Sequence, residues 1–320
     1  MKKKLNYKVV IMLVTVLTIL MSSYLPSYSL NFLAGVFLMA SLTALTDFAW
    51  GRAGIIIFGP MLFFSLGSYT SAIFLKNQID LGLGGLALIA IILIIYLLIF
   101  LPSFFRGLKP IQFGLVTLIV SVVFQQLIID FYELTGGSNG LINFSSNGKF
   151  FGLELALSNS RINYFSSTVF SVIILSILLY LKRSNMGKLI TLIRDFPDRA
   201  SSLGFSIAKW RSAVFLLFAL LSSFCGFFYA PIVGVVHPGL FSVPYNVVIL
   251  VWLVIGGRGT LYGPFLAAIF LKGLEFYLGS KFSGYYLILV ALTLLITVIF
   301  FRRGFITSLS KSINHAASTK

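Results

Sequence analysis

Ten apolar runs, most of them long enough to cross a ~30 Å hydrocarbon core, leave this 320-residue chain few ways to fold. They are Val9–Leu20, Leu30–Thr46, Ile57–Leu75, Leu83–Leu101, Ile111–Phe131, Phe165–Leu181, Ala213–Ala230, Tyr245–Ile255, Leu261–Leu278 and Tyr285–Phe301. Lipid offers no partner to a backbone N–H or C=O, so continuous apolar runs must satisfy those groups within themselves, as helices. The expected fold is all-α, a polytopic transmembrane helix bundle of about ten spans forming one domain over residues 1–320. Tyr245–Ile255 is shorter than the ~17 residues of a straight crossing, which predicts a broken or re-entrant helix near 245–260.

Composition agrees with a chain that lives in lipid. Hydrophobic residues make up 58% and charged residues only 10%, against about 25% charged in soluble domains. The net charge of +16 would suggest nucleic acid in a soluble protein. Here the basic residues sit at the ends of apolar runs, where the positive-inside rule accounts for them, so no nucleic-acid partner is expected. Arg52, Arg106, Lys109, the insert 182–211, Arg258, Arg302, Arg303 and Lys311 fall on one side of the zigzag. Lys76, Asp80, Glu133, Lys149, Glu154, Arg161 and Lys281 form a thin, mixed set on the other. The basic side is read as cytoplasmic and holds both termini. Lys2, Lys3 and Lys4 before the first run, with Ser27-Tyr28-Ser29 beyond it, also allow a cleaved signal peptide, but the many later spans favour a retained first helix. Cys225 is the single cysteine, so neither an internal disulfide nor zinc spacing is available.

Two polar stretches interrupt the spans. In 182–211, Leu189, Ile190, Leu192 and Ile193 give an amphipathic turn after Gly187. Pro197 marks a fresh helix start, with Asp198 in the first turn, where the helix dipole favours a carboxylate. Gly204 supplies a left-handed stop and Ser206 a cap for the next helix. A helix punctuated at both ends suits a docking surface; an ordinary basic loop is the competing reading. The external segment 132–164 opens with Leu134-Thr-Gly-Gly-Ser-Asn-Gly140, whose glycines permit tight turns, in a binding surface or simply in a flexible loop.

Polar groups inside spans suggest a pathway by default. Asp47 and Trp50 close the second run, and Asp47 either lines a pathway or pairs with Arg52. Thr117, Gln125 and Gln126 on the fifth run either line a pathway or hydrogen-bond across helices. Trp252, Gly256 and Gly257 interrupt the eighth, and broken helices at membrane depth often border a cavity. Glu275, near the outer end of the ninth run, is read as solvated among the headgroups. Asp195 and Asp198 form an acidic pair, but metal-diphosphate chemistry needs more converging carboxylates than the chain supplies. His237 and His315 fall on opposite sides, and no phosphate loop occurs, so neither an enzyme, a metal site nor a cofactor is expected.

Several strings, in order, resemble the permease subunits of ABC importers for branched-chain amino acids and urea. They are Asp47-Phe-Ala-Trp-Gly-Arg-Ala-Gly-Ile55 with Phe58-Gly59, Gly67-Ser-Tyr-Thr70, Thr135-Gly-Gly-Ser-Asn-Gly140, Ile193–Gly204, Ile255–Pro264 and Phe301–Phe305. The resemblance implies half of a translocation pore, paired with a second permease subunit, two ATP-binding cassette subunits and an external substrate-binding protein, in a bacterial inner membrane. By the same analogy Arg194, Asp195, Asp198, Arg199, Ala200 and Gly204 form the ATPase-coupling face, and Gly136, Gly137, Asn139 and Gly140 meet the binding protein. Asp198-Arg199-Ala200 departs from the family's Glu-Ala-Ala, and Pro60 stands where relatives carry Gln or His. Substrate stays open between branched-chain amino acids and urea or short amides. The rival class is a stand-alone secondary carrier or channel for a small polar solute, which would require a carboxylate near the bilayer midplane.

Overall fold

The computed structural model describes residues 25–142, 144, 147–156 and 159–281. The apolar runs Val9–Leu20 and Tyr285–Phe301, the string Phe301–Phe305 and both termini lie outside the described residues. The helices are α1 (Ser27–Asp47), α2 (Met61–Lys76), α3 (Leu81–Ile95), α4 (Leu101–Phe105), α5 (Pro110–Asp130) and α6 (Tyr132–Thr135). They continue with α7 (Ser160–Arg183), α8 (Asn185–Asp195), α9 (Pro197–Ser202), α10 (Ile207–Val233), α11 (Val243–Gly256) and α12 (Tyr262–Lys281). Among the described residues five helical stretches are long and apolar enough to cross a membrane: Ser27–Arg52, Leu81–Phe105, Pro110–Asp130, Ser160–Arg183 and Ile207–Val233. Met61–Lys76 and Val243–Gly256 are apolar but shorter.

α1 is the axis of the bundle. Its most apolar stretch is 83% buried, against 22% for that of α5, so α1 is wrapped by protein while α5 lies at the periphery. α7, α10 and α12 all pack on α1, and α2 packs on α10. The α2–α10 approach is set by two glycines: a side chain on Gly67 would overlap the Ser223 carbonyl, and one on Gly226 the Phe64 carbonyl. Small residues bring helix backbones close where lipid provides no hydrophobic drive between helices. Ser68 fills the seam, donating its hydroxyl to the Gly226 carbonyl at 3.0 Å. Phe63, Phe100, Phe113 and Phe215 interlock beside it, with Phe100 and Phe113 at 4.8 and 5.0 Å from Phe215 between ring centroids.

Three expectations change. The third run was expected to be helical from Ile57, but α2 begins at Met61, because a residue before proline avoids the helical region and Gly59-Pro60 therefore ends an extended segment. The fold is not purely α: β1 (Leu141–Ile142) pairs antiparallel with β4 (Val235–Val236), and β2 (Asn147–Phe150) with β3 (Leu153–Ala156). The described residues of 132–164 are accordingly folded rather than a flexible loop, and α7 already starts at Ser160. The break near 245–260 is present: a 3-10 turn over Pro238–Phe241 precedes the 14-residue α11, and Gly257, at φ +95°, ends it.

Candidate functional site

Four basic residues of the zigzag, Arg52, Lys182, Arg194 and Arg258, meet at one end of the bundle. α1 runs into a π-helical turn, Phe48–Arg52, and the loop Gly257–Leu261 between α11 and α12 crosses that turn. Asp47 is fully buried and holds the loop with both carboxylate oxygens: Oδ1 accepts the Gly259 N–H at 2.6 Å and Oδ2 the Leu261 N–H at 2.9 Å. Arg52 donates to the Gly259 carbonyl at 3.4 Å, and Lys182, from the end of α7, to the Thr260 carbonyl at 3.5 Å. The Arg258 guanidinium lies 4.6 Å above the Trp50 ring, a cation–π contact. Only glycine fits at position 51, since a Cβ there would stand 2.5 Å from the Gly259 nitrogen and 2.8 Å from Asp47 Oδ1.

Helices α8 and α9 form an elbow against this junction. Ser184 caps α8, its hydroxyl oxygen accepting the Gly187 N–H at 3.2 Å, and Ile190 and Ile193 are buried. Pro197 opens α9, and Gly204 leaves it at φ +85°. Ser206 occupies the cap position of α10, but its side chain makes no capping hydrogen bond, a correction to the expected cap; its carbonyl accepts from Trp210 N–H at 3.2 Å. Arg194 points back into the junction and donates through Nη1 to the Gly51 carbonyl. Its Nε and Nη2 donate to Asp195 at 2.7 and 3.1 Å, which holds the Asp195 carboxyl below its ordinary range. Asp198, Arg199 and Gly204 are exposed, with Phe196 and Leu203 beside them 58% and 63% exposed, whereas Ala200 is buried. Gly51, Arg52, Arg194, Arg258 and Gly259 border an open basic depression of about 450 Å³.

The residues read as pathway candidates fall into two groups. Asp47, Trp50 and Gly257 belong to the junction with Arg194, and Gly256 packs its backbone against Gly263-Pro264. Thr117 lies at the extended segment before α2. Its hydroxyl oxygen accepts the N–H of Phe58 and of Gly59, both at 3.1 Å, and donates to the Gly114 carbonyl at 2.6 Å. Asn246, buried on α11, completes that set: Oδ1 accepts the Met61 N–H at 2.9 Å, and Nδ2 donates to Ser121 Oγ at 3.2 Å and to the Phe241 and Ser242 carbonyls at 3.0 and 2.9 Å. Backbone that leaves the helix inside a membrane needs such partners. Gln125 is half-buried one turn beyond Ser121, and Trp252 is buried in the core. Asn246 and Ser121 were not legible as site residues, because a lone Asn or Ser in an apolar run carries no spacing signal.

At the other end the Thr135–Gly140 turn spends its glycines on the fold. Thr135 Oγ1 donates to the Ile128 and Phe131 carbonyls, at 2.5 and 2.7 Å. Gly136, Gly137 and Gly140 all have positive φ, and a side chain on Gly140 would overlap the Val236 carbonyl of β4. Asn139 and Ser138 are exposed at its tip. Asp80, which precedes α3, accepts three N–H groups: Gly82 at 2.6 Å, Phe151 at 2.8 Å and Gly152 at 2.7 Å. It thereby caps α3 and clamps the tip of the β2–β3 hairpin to it, and the Gly152 and Phe151 donors hold its carboxyl below the usual range.

Residues 27–300 match the family described as branched-chain amino acid transport system / permease component. The chain is similar to the high-affinity branched-chain amino acid transport system permease protein LivM of Escherichia coli (strain K12), 26% identical over 241 residues, covering 69% of this chain and 56% of that one. The protein of the same name from Salmonella typhimurium is 25% identical over 252 residues, with the same coverage of 69% and 56%. The match thus spans little more than half the length of these curated relatives. No solved structure matches the chain. The family is one of transport permeases rather than an enzyme class, and its apolar helices mark a multi-pass membrane protein. With its strings in family order and a match over most of its length, this chain belongs to the permease components of branched-chain amino acid transport systems.

Proposed function

We propose that this chain is one of two membrane-spanning subunits of an ATP-driven importer for branched-chain amino acids in a bacterial inner membrane. Two ATP-binding cassette subunits drive it from the basic, cytoplasmic end, and an external binding protein delivers solute at the other. The observation that carries this reading is the Arg194 joint. Arg194 sits on the elbow yet donates to the Gly51 carbonyl, and Gly51 lies against the loop that Asp47 holds. Movement of the elbow is therefore passed to the end of α1 and to the α11–α12 connection without a flexible link. Phe196, Asp198, Arg199 and Leu203 face outward and offer a partner an apolar knob ringed by charge. Ala200 serves on the packing side of the same helix. At the far end Asn139, at the tip of the rigid glycine turn, is the contact for the binding protein.

Reconstitution in vesicles with the second permease, the ATPases and the binding protein tests the reading through ATP-dependent uptake of labelled leucine against labelled urea. Leucine uptake is expected. Reversal of charge at both Asp198→Arg and Arg199→Glu should leave insertion intact and lower uptake about tenfold or more, the effect of ~1.4 kcal/mol lost from coupling. Full uptake by that variant would remove the elbow from the coupling path. Urea uptake would move the substrate to small amides. A carrier driven by an ion gradient is the rival, favoured by one observation: the otherwise apolar α12 carries an ion pair between Lys272 and Glu275. Uptake that needs no ATP and collapses with the gradient would establish that rival.

A further inference from the structure

Arg211 is a half-buried guanidinium without a counter-charge. Its Nε is buried with no hydrogen-bond partner, and no carboxylate among the described residues pairs with it. It stands four residues into α10, about 6 Å past Ile207, and borders a crevice of about 320 Å³. Three candidate spans have an end at this crevice: Leu81–Phe105, Pro110–Asp130 and Ile207–Val233. Residues at span ends lie near the headgroups rather than in the hydrocarbon core. Ile56, Phe104, Phe105, Phe113 and Ile207 make the wall apolar, and among the described residues that border it Arg211 alone is charged. Just outside, Arg106, Lys109 and Lys209 are exposed, and neither 101–110 nor 207–211 contains an acidic residue. Ile111, Leu115 and Ile119, spaced by four, continue the exposed apolar surface along the peripheral α5.

We propose that this crevice binds an anionic phospholipid, with its phosphate on Arg211 and the start of an acyl chain against the aromatic wall. The inference goes beyond the importer reading: it needs only that the chain spans a membrane, not that it carries a particular solute. A guanidinium taken from water without a partner is costly, and its planar fork matches phosphate oxygens two at a time. Water or a soluble anion satisfies the charge but leaves the phenyl rings wet. A phospholipid satisfies both, because its charge and its apolar chains leave the same glycerol. Arg106, Lys109 and Lys209 favour a lipid of net negative charge over a zwitterionic one, whose ammonium they repel. The crevice also touches the elbow's joint. Gly54 is part of its wall, and a Cβ there would stand 2.9 Å from Arg194 Cγ. A bound lipid braces the backbone on which Arg194 packs, so membrane composition acts on the elbow at this site.

Native mass spectrometry on the purified full chain tests the site, with phosphatidylglycerol and phosphatidylcholine of identical acyl chains as probes. The wild type should retain phosphatidylglycerol about tenfold more tightly than phosphatidylcholine. Arg211→Met should abolish that preference, while Arg211→Lys should keep it within about threefold, since an ammonium still meets the phosphate. Ala208→Phe fills the crevice with Arg211 in place and should abolish the preference as well. A preference unchanged in Arg211→Met and Ala208→Phe would assign it to the exposed basic residues alone and overturn the site. Should Arg211→Met fail to insert, Ala208→Phe decides by itself: an intact preference overturns the site and a lost one supports it. Glycerol 3-phosphate, which has the phosphate but no chain, should not displace the lipid at equal concentration; displacement would mean a soluble-anion site and overturn the lipid. Equal retention of both lipids by the wild type would leave Arg211 to an acidic side chain of a partner protein and also overturn it. None of these readouts uses ATP or solute, so ATP-dependent leucine uptake, measured alongside, stands or falls separately.

Discussion

Asp47 and Asp80 perform the same task at opposite ends of the molecule, and their surroundings make the outcomes different. Each carboxylate gathers backbone N–H groups from a distant segment: Asp47 from Gly259 and Leu261, Asp80 from Phe151 and Gly152. Asp47 is wholly buried, with Arg52 and Lys182 bonded to neighbouring carbonyls of the same loop. Asp80 stands at a surface, where water competes for every donor. A buried acceptor cannot be replaced by solvent, so its loss leaves orphaned donors, whereas a surface clamp opens at little cost. The first arrangement builds a rigid transmission point; the second holds an outer hairpin that water can release.

The comparison is broken most directly at Asp47. Asp47→Ala leaves two N–H groups unpaired in the junction and should destabilise the protein by about 3 kcal/mol or more, seen as a lower Tm in detergent and new proteolysis at Arg258. Next in size is Asn246→Ala, which strands the Met61 N–H at the start of α2 and should cost roughly 2–4 kcal/mol. Its signature is faster hydrogen exchange at Met61, with the Arg258 loop still protected. Gly51→Ala should cost about 1–3 kcal/mol, since its Cβ forces Gly259 away from Asp47. Cross-linking across the 51–259 pair would report the separation.

Asp80 gives the smallest effect and the one that depends on pH. Its carboxyl titrates below the usual 3.8 in the folded protein, so the clamp's stabilisation is complete above that value and disappears as pH falls through the lowered one. Protection of the Phe151 and Gly152 amides should therefore hold at neutral pH and vanish in acid, and Asp80→Asn should lose it at all pH values. Equal protection at neutral pH and in strong acid would mean that the hairpin is held by something other than Asp80.

Hydrophobic periodicity made most of the helices legible, because an apolar run in lipid has one way to satisfy its backbone. The punctuation of 182–211 was equally plain: Pro197 and Gly204 act through backbone geometry that is local to the residue. What stayed hidden depended on partners far along the chain. Asp47 was weighed against its neighbour Arg52, yet its partners are 212 and 214 residues away. Arg194 was grouped with the coupling face by analogy alone; that its side chain turns back to Gly51, and that Ala200 of the same group is buried, the sequence did not disclose. Lys272, one turn before Glu275 and paired with it, was overlooked because a pair inside an apolar run changes mean hydropathy little.

Sequence alone settled that this chain enters a membrane as helices, and its strings placed it in a permease family, since both properties are carried by short-range composition and local motifs. Tertiary structure decided which ends of those helices are joined. The extended entry to α2 depends on Thr117 and Asn246 from other helices, and the elbow's link to α1 on one arginine meeting one carbonyl. Such bonds follow from helix packing, where a side chain's reach of a few ångströms selects partners that chain order does not specify.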